Sequence, residues 1–115
     1  MKAGGGLIVN IAKRNDWRRA IERGAYEAES LETEGFIHCS DPSQVVDTAN
    51  ALFRSETDLV LLCIDPARLT APLRYEPSKR GTFPHIYGPI SVAAVTRVLD
   101  FPPGADGTFE LPADL

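Results

Sequence analysis

Apolar residues fall along this chain in short runs, and the length and spacing of each run predicts its element. Leu7–Ala12 (LIVNIA) is of strand length and too short for a helix. Trp17, Ala20 and Ile21 then recur at the i, i+3, i+4 spacing of a helix face. Asn15 is placed to cap that helix and Gly24 to supply a left-handed stop. Residues 25–35 are acidic and have no clear period, which predicts a loop with one helical turn, capped by Ser30 and ended by Gly35. Phe36–Ser40 predicts a buried strand. Asp41, Pro42 and Gln44 stand at the N-cap, first and third positions of a capping box, and Val45, Val46, Ala49, Leu52 and Phe53 share one face of the helix that follows.

The second half of the chain is richer in strands. Asp58–Asp65 (DLVLLCID) is a continuous apolar run, the pattern of a central strand buried on both faces, and Asp65-Pro66 ends it. PLRYE predicts a short strand and PSKRGT a polar loop. FPHIYGP, with two prolines and Gly88, predicts a rigid irregular segment, and Ile90–Phe101 a β-branched strand. PPGADG reads as a turn and TFELP as an edge strand before a tail at 112–115. Strands outnumber helices without regular alternation, so the expected fold is α+β: one domain over 1–115, with a flexible start at 1–6 and a mixed, mostly antiparallel sheet with two main helices.

Composition narrows the class without changing this picture. With 115 residues, 43% of them hydrophobic and 24% charged, the chain suits one domain with a real core. No apolar stretch approaches the roughly 18 residues of a membrane span, and the N-terminal run turns charged too soon for a secretory leader, so a cytoplasmic protein is expected. A net charge of -4 gives no general attraction to nucleic acid. Lys13, Arg14, Arg18, Arg19 and Arg23 cluster locally, and a solvated helix face is the favoured account of them. Cys39 and Cys63 lie inside apolar runs without C-x-x-C spacing and read as small core residues.

Candidate chemistry gathers around the two histidines, His38 and His85, each beside aromatic and turn-forming residues. Histidine ordinarily titrates closest to neutrality, which favours a functional role; a core ring bonded to a backbone carbonyl is the equal alternative. A zinc site is not expected, because Cys39 follows His38 on a strand and points to the opposite face. No G-x-S-x-G marks a hydrolase nucleophile. Ser40 shares a strand face with His38, either to contact a ligand or to support the following turn. Arg74 and Glu76 share a face on PLRYE, and Tyr87 shares one with His85 if that stretch is extended. Together these residues offer one possible pocket.

Over nearly its whole length the chain resembles the small bacterial domain-of-unknown-function family 952. Tyr26, Ser30-Leu31, EGFIHCS from Glu34, Gln44, Asp65-Pro66, Arg68-Leu69, Tyr75-Glu76 and FPHIYGPI from Phe83 carry the resemblance. That family is similar, more distantly, to the ADP-ribosyltransferase superfamily, including the RNA 2'-phosphotransferases, which bind NAD in a cleft of a split, mostly antiparallel sheet. The resemblance implies an ADP-ribosyltransferase-like fold and NAD as co-substrate, with no metal. GFIHCSDPSQVVDTAN then corresponds to the second core motif, with His38 against nicotinamide or its ribose. The first motif falls in LIVNIA, where relatives commonly carry a histidine in place of Asn10. Glu76 and the His85–Tyr87 segment are both candidates for the third. In that scheme His38, Glu76 and His85 are catalytic. Tyr87 joins His38 at the nicotinamide-ribose end, Asn10 and Ser40 bond hydroxyls, Arg74 meets phosphate and Glu76 the developing positive charge. The expected partner is a nucleotide-like small molecule, with nucleic acid only as an acceptor and no membrane. The rival expectation is a non-catalytic module that binds a nucleotide or small anion in the same cleft. The chain lacks the βαβ start of a thioredoxin-like domain, which disfavours a glutathione-transferase relation.

Overall fold

The computed structural model describes residues 6–115, so the expected flexible start lies outside the described residues except for Gly6. The first half runs β1 (Ile8–Lys13), α1 (Arg14–Arg23), β2 (Ala25–Tyr26), α2 (Glu29–Thr33), β3 (Ile37–His38) and α3 (Val45–Leu52). The second half is β4 (Leu59–Ile64), β5 (Leu73–Ser78), β6 (Gly81–Ile86), β7 (Ile90–Ser91) and β8 (Val95–Asp100), with 3-10 turns at Pro66–Arg68 and Val92–Ala94. The strands form three sheets, β1-β4-β8, β3-β6-β5 and the small pair β2-β7. Where a mixed sheet is expected, every described strand pair is antiparallel. The described residues thus form an α+β domain with three helices, the third being the five-residue α2 in place of the single expected turn.

The central run behaves as its sequence dictates. All six residues of β4 are buried, and β1 and β8 pair on either side of it. Its side chains alternate between two cores. Val60, Leu62 and Ile64 pack with Ile8, Ala12, Trp17, Tyr26, Ile37 and Ile86 on one face. Leu59, Leu61 and Cys63 pack with Val9, Val45, Ala49, Phe101 and Phe109 on the other. Cys39 and Cys63 are both buried, free thiols.

Element ends depart from the predicted ones for local reasons. Helix α1 begins at Arg14 with Lys13 at its N-cap, so Asn15 lies in the first turn, where it accepts a bond from Arg18. Trp17 and Ala20 are buried, but Ile21 on the flank is 54% exposed. Gly24 ends the helix as predicted, at φ 88°, where its missing Cβ relieves the left-handed conformation. Ala28, not Ser30, precedes α2. Half of the expected capping box forms: Gln44 Oε1 accepts from the Asp41 N–H at 2.9 Å. The Asp41 carboxylate instead accepts from the Tyr75 hydroxyl, and a turn precedes α3, which starts at Val45. Leu52, assigned to the apolar face, is 64% exposed.

Ile90–Phe101 is not one strand. The Ser91 hydroxyl accepts from the Ala93 N–H, a side-chain turn that competes with the ladder, and the chain passes from β7 to β8 in a different sheet. TFELP does not add an edge strand; Asn50 holds it instead, accepting from the Phe109 N–H at 2.7 Å. The segment around Pro84 is not irregular but forms β6, central in the second sheet. A proline is tolerated there because its carbonyl, and hence its missing N–H, faces the end of β3. Only Cys39 N–H reaches that side, and the next residue, Ser40, leaves to exchange both backbone bonds with Val9 at 2.8 Å. That exchange ties the second sheet to β1 and brings β1, β3 and β6 around one cavity.

Candidate functional site

On β6 and β3, His85 lies directly opposite His38, and on β5 it lies opposite Arg74. The diagonal neighbour on β5 is Glu76, and its Oε1 sits 2.7 Å from His85 Nδ1. The Tyr87 hydroxyl donates to the same oxygen at 2.5 Å. These bonds favour the charged carboxylate, so Tyr87 first and His85 second hold Glu76 below the usual carboxylate range. The same hydrogen bond to Glu76 raises Tyr87, since it favours the protonated phenol.

Phe36 packs these rings together. It stacks on His85 with centroids 4.1 Å apart and meets His38 edge-on at 4.8 Å. Arg74 lies over the other end of the cluster, its guanidinium 5.3 Å from the Tyr87 ring centroid. His38 itself is exposed, with its Nε2 3.1 Å from Glu34 Oε2.

A cavity of about 500 Å³ opens beside this cluster, within the size range of small-molecule sites. His38, His85, Asn10 and Ser40 line it, together with Tyr26, Thr48 and Arg80. Asn10 is buried to 5% exposure, and its Nδ2 donates to the His38 carbonyl at 2.7 Å. Among the described residues its Oδ1 has no partner, and neither has the buried Thr48 hydroxyl. Such unpaired polar atoms are costly when buried.

Four of the seven predicted site residues therefore meet in one cavity: Asn10, His38, Ser40 and His85. Arg74, Glu76 and Tyr87 do not line it but stand behind His85, in contact through Glu76 and the stacked rings. Ser40 is buried, because the Val9 bridge draws it under β1. Phe36, Thr48 and Arg80 went unread. Phe36 carried a legible sign, an aromatic two residues before His38 on the same strand face; Thr48 and Arg80 are brought in only by tertiary packing.

The profile of the family described as "Protein of unknown function (DUF952)" matches residues 11–98. The chain belongs to this family. Among solved structures, the crystal structure of CC0527 from Caulobacter crescentus is 37% identical, with 91% of this chain and 94% of that one covered at a TM-score of 0.84. The solution structure of the same protein is 38% identical, covering 95% and 96% at 0.81. No curated protein matches the chain. Among the described residues, no group of three His, Cys, Asp or Glu side chains is placed to hold a metal, and no helix is long and apolar enough to cross a membrane.

Proposed function

We propose that this DUF952 protein is an ADP-ribosyltransferase-like, NAD-using transferase or glycohydrolase that holds the nicotinamide-ribose end of NAD at the histidine end of the cavity. One arrangement carries this function: His85, bonded through Nδ1 to Glu76, lines the same cavity as His38 and Asn10. A neutral imidazole that donates its Nδ1–H to a carboxylate carries its lone pair on Nε2, and this is the role proposed for His85. In the transfer, the bond from ribose C1' to the nicotinamide nitrogen breaks, and nicotinamide leaves with the electron pair. The oxygen of water or an acceptor hydroxyl bonds to C1', and its proton passes to His85 Nε2. The Glu76 carboxylate, held behind His85, stabilises the developing oxocarbenium-like cation electrostatically. Tyr87 and Arg74 act as positioning residues, Tyr87 through its bond to Glu76 and Arg74 through its contact with the Tyr87 ring.

A second reading, the non-catalytic nucleotide-binding module, draws on the placement of Glu76. Its Oε1 is shared by two donors, and the residue does not line the cavity. The two readings separate when the protein is incubated with NAD labelled in its nicotinamide, alone and with RNA or protein acceptors. The enzyme releases nicotinamide, and His85→Asn slows release by about 10²- to 10⁴-fold, the usual worth of a positioned acid-base group. Saturable NAD binding without release identifies the module. A protein that binds no NAD overturns both NAD readings.

A further inference from the structure

The polar lining of the cavity is uneven from end to end. Lys13, Asp16 and Glu29 lie at the end formed by β1, α1 and α2, and Arg80 lies at the tip of the β5-β6 hairpin. At the first end Asp16 is bonded to Arg19 at 2.7 Å, and Lys13 and Glu29 are opposite in sign. Arg80 has no ion-pair partner among the described residues.

The turn that carries Arg80 is braced. The Ser78 hydroxyl donates to the Gly81 carbonyl at 2.9 Å and accepts from the Arg80 N–H at 3.2 Å. Gly81 takes φ 126°, which a side chain rarely adopts. Gln44 Nε2 donates to the Thr82 carbonyl at 2.8 Å and fixes the hairpin against the start of α3. A backbone held this way presents an arginine with less ordering still to be done when an anion arrives.

We propose that Arg80 is the anion-recognising residue of the cavity, and that its ligand is an elongated, phosphate-bearing molecule of dinucleotide length. The role differs from the one expected of Arg74, which is stacked on Tyr87 outside the lining. Arg80 stands on the turn beside Gly81, and from Gly81 to His85 the strand β6 runs four residues, about 13 Å of extended chain, so an elongated ligand suits both ends better than a compact one. A guanidinium suits phosphate oxygens because it offers two parallel N–H donors. The identification of a dinucleotide rests on the NAD reading above; the anion subsite rests on Arg80 alone.

Three ligands distinguish the two when titrated calorimetrically: NAD, ADP-ribose, which keeps the phosphates without nicotinamide, and nicotinamide riboside, which keeps nicotinamide without phosphate. Arg80→Ala is expected to weaken NAD and ADP-ribose by about tenfold or more, with Arg80→Lys intermediate and nicotinamide riboside unchanged. Lys79→Ala, which removes the adjacent cation from outside the lining, is expected to stay within about twofold. Arg80 lies on an exposed turn, so unchanged thermal unfolding of the variants is the expected control. ADP-ribose binding equal in native and Arg80→Ala protein overturns the subsite and leaves the NAD reading standing. Equal losses in Lys79→Ala and Arg80→Ala also overturn it, because a diffuse field would then be responsible. Arg80-dependent ADP-ribose binding without nicotinamide riboside binding or nicotinamide release keeps the subsite and removes the NAD reading. Native protein that binds neither phosphate ligand overturns the subsite.

Discussion

The two three-stranded sheets of this protein are held together by different physics. In β1-β4-β8, six consecutive residues of β4 are buried, and successive side chains enter one core or the other. Each needs only to be apolar and of fitting size, and each contributes about 1.5–3 kcal/mol of transfer free energy. In β3-β6-β5, β3 is two residues long and the specific contacts are polar: Asn10 to the His38 carbonyl, Gln44 to the Thr82 carbonyl, Glu76 to His85. A hydrogen bond contributes a net of about 0.5–1.5 kcal/mol, so such contacts add less to stability than to position. The first sheet supplies the scaffold, and the second places side chains around the cavity.

Truncating the scaffold is expected to have the largest effect. Leu62 is fully buried, and Leu62→Ala is expected to lower stability by about 2–5 kcal/mol through lost burial and an unfilled cavity. Urea unfolding reads this as a lower midpoint at unchanged slope. A loss below about 1 kcal/mol would contradict the division of labour between the sheets.

Glu76→Gln tests the other side of the comparison. It keeps the shape of the side chain but removes the charge bonded by Tyr87 and His85, and is expected to slow nicotinamide release by about 10²-fold with the fold intact. The pH dependence has a fixed sign. The Glu76 carboxyl sits below its ordinary value of 4.5 in the folded protein, so on acidification the unfolded chain takes up the proton first. Its contribution is therefore present above about pH 4.5 and lost as pH falls through the lowered folded value. Unfolding measured across an acid pH series should show a shallower decline in the variant; parallel declines would mean that the carboxylate is not held by its two donors. The raised Tyr87 gives the opposite limb, its contribution being lost as pH rises beyond the ordinary tyrosine range.

The difference between the sheets also explains what the sequence revealed. β4 was legible because burial on both faces leaves an uninterrupted apolar run with a proline stop, a pattern that depends on nothing distant. β6 was misread because Pro84 argues against a central strand, and only the departure of Ser40 toward Val9 leaves the missing donor unneeded. His38, His85, Ser40 and Asn10 could be singled out by residue type and family resemblance, and they do line one cavity. That Glu76 serves His85 and not the cavity depends on the β5-β6 register, which no local pattern encodes. Arg80 was invisible for the same reason: a cation in a polar loop looks like any solvated charge until the hairpin is folded against α3.

The basic face of α1 offers the smallest effect and a check that charge alone does not make a site. Arg18 bonds Asn15 at 3.3 Å and Arg19 bonds Asp16 at 2.7 Å, both within one turn of the same helix. Exposed pairs of this kind contribute about 0–1 kcal/mol and weaken with salt. Replacing Arg18, Arg19 and Arg23 together by alanine is therefore expected to change stability by about 1 kcal/mol or less and NAD affinity by less than about twofold. Arg14 is left in place because it is a structural cation, reaching Asp58 at 3.0 Å and Asp100 at 2.6 Å and so tying α1 to the residue before β4 and to β8. Gel-shift titration of the triple variant with RNA completes the comparison. If native protein binds RNA and the variant does not, this face is an acceptor surface, and the scaffold sheet contributes to function through the helix it carries.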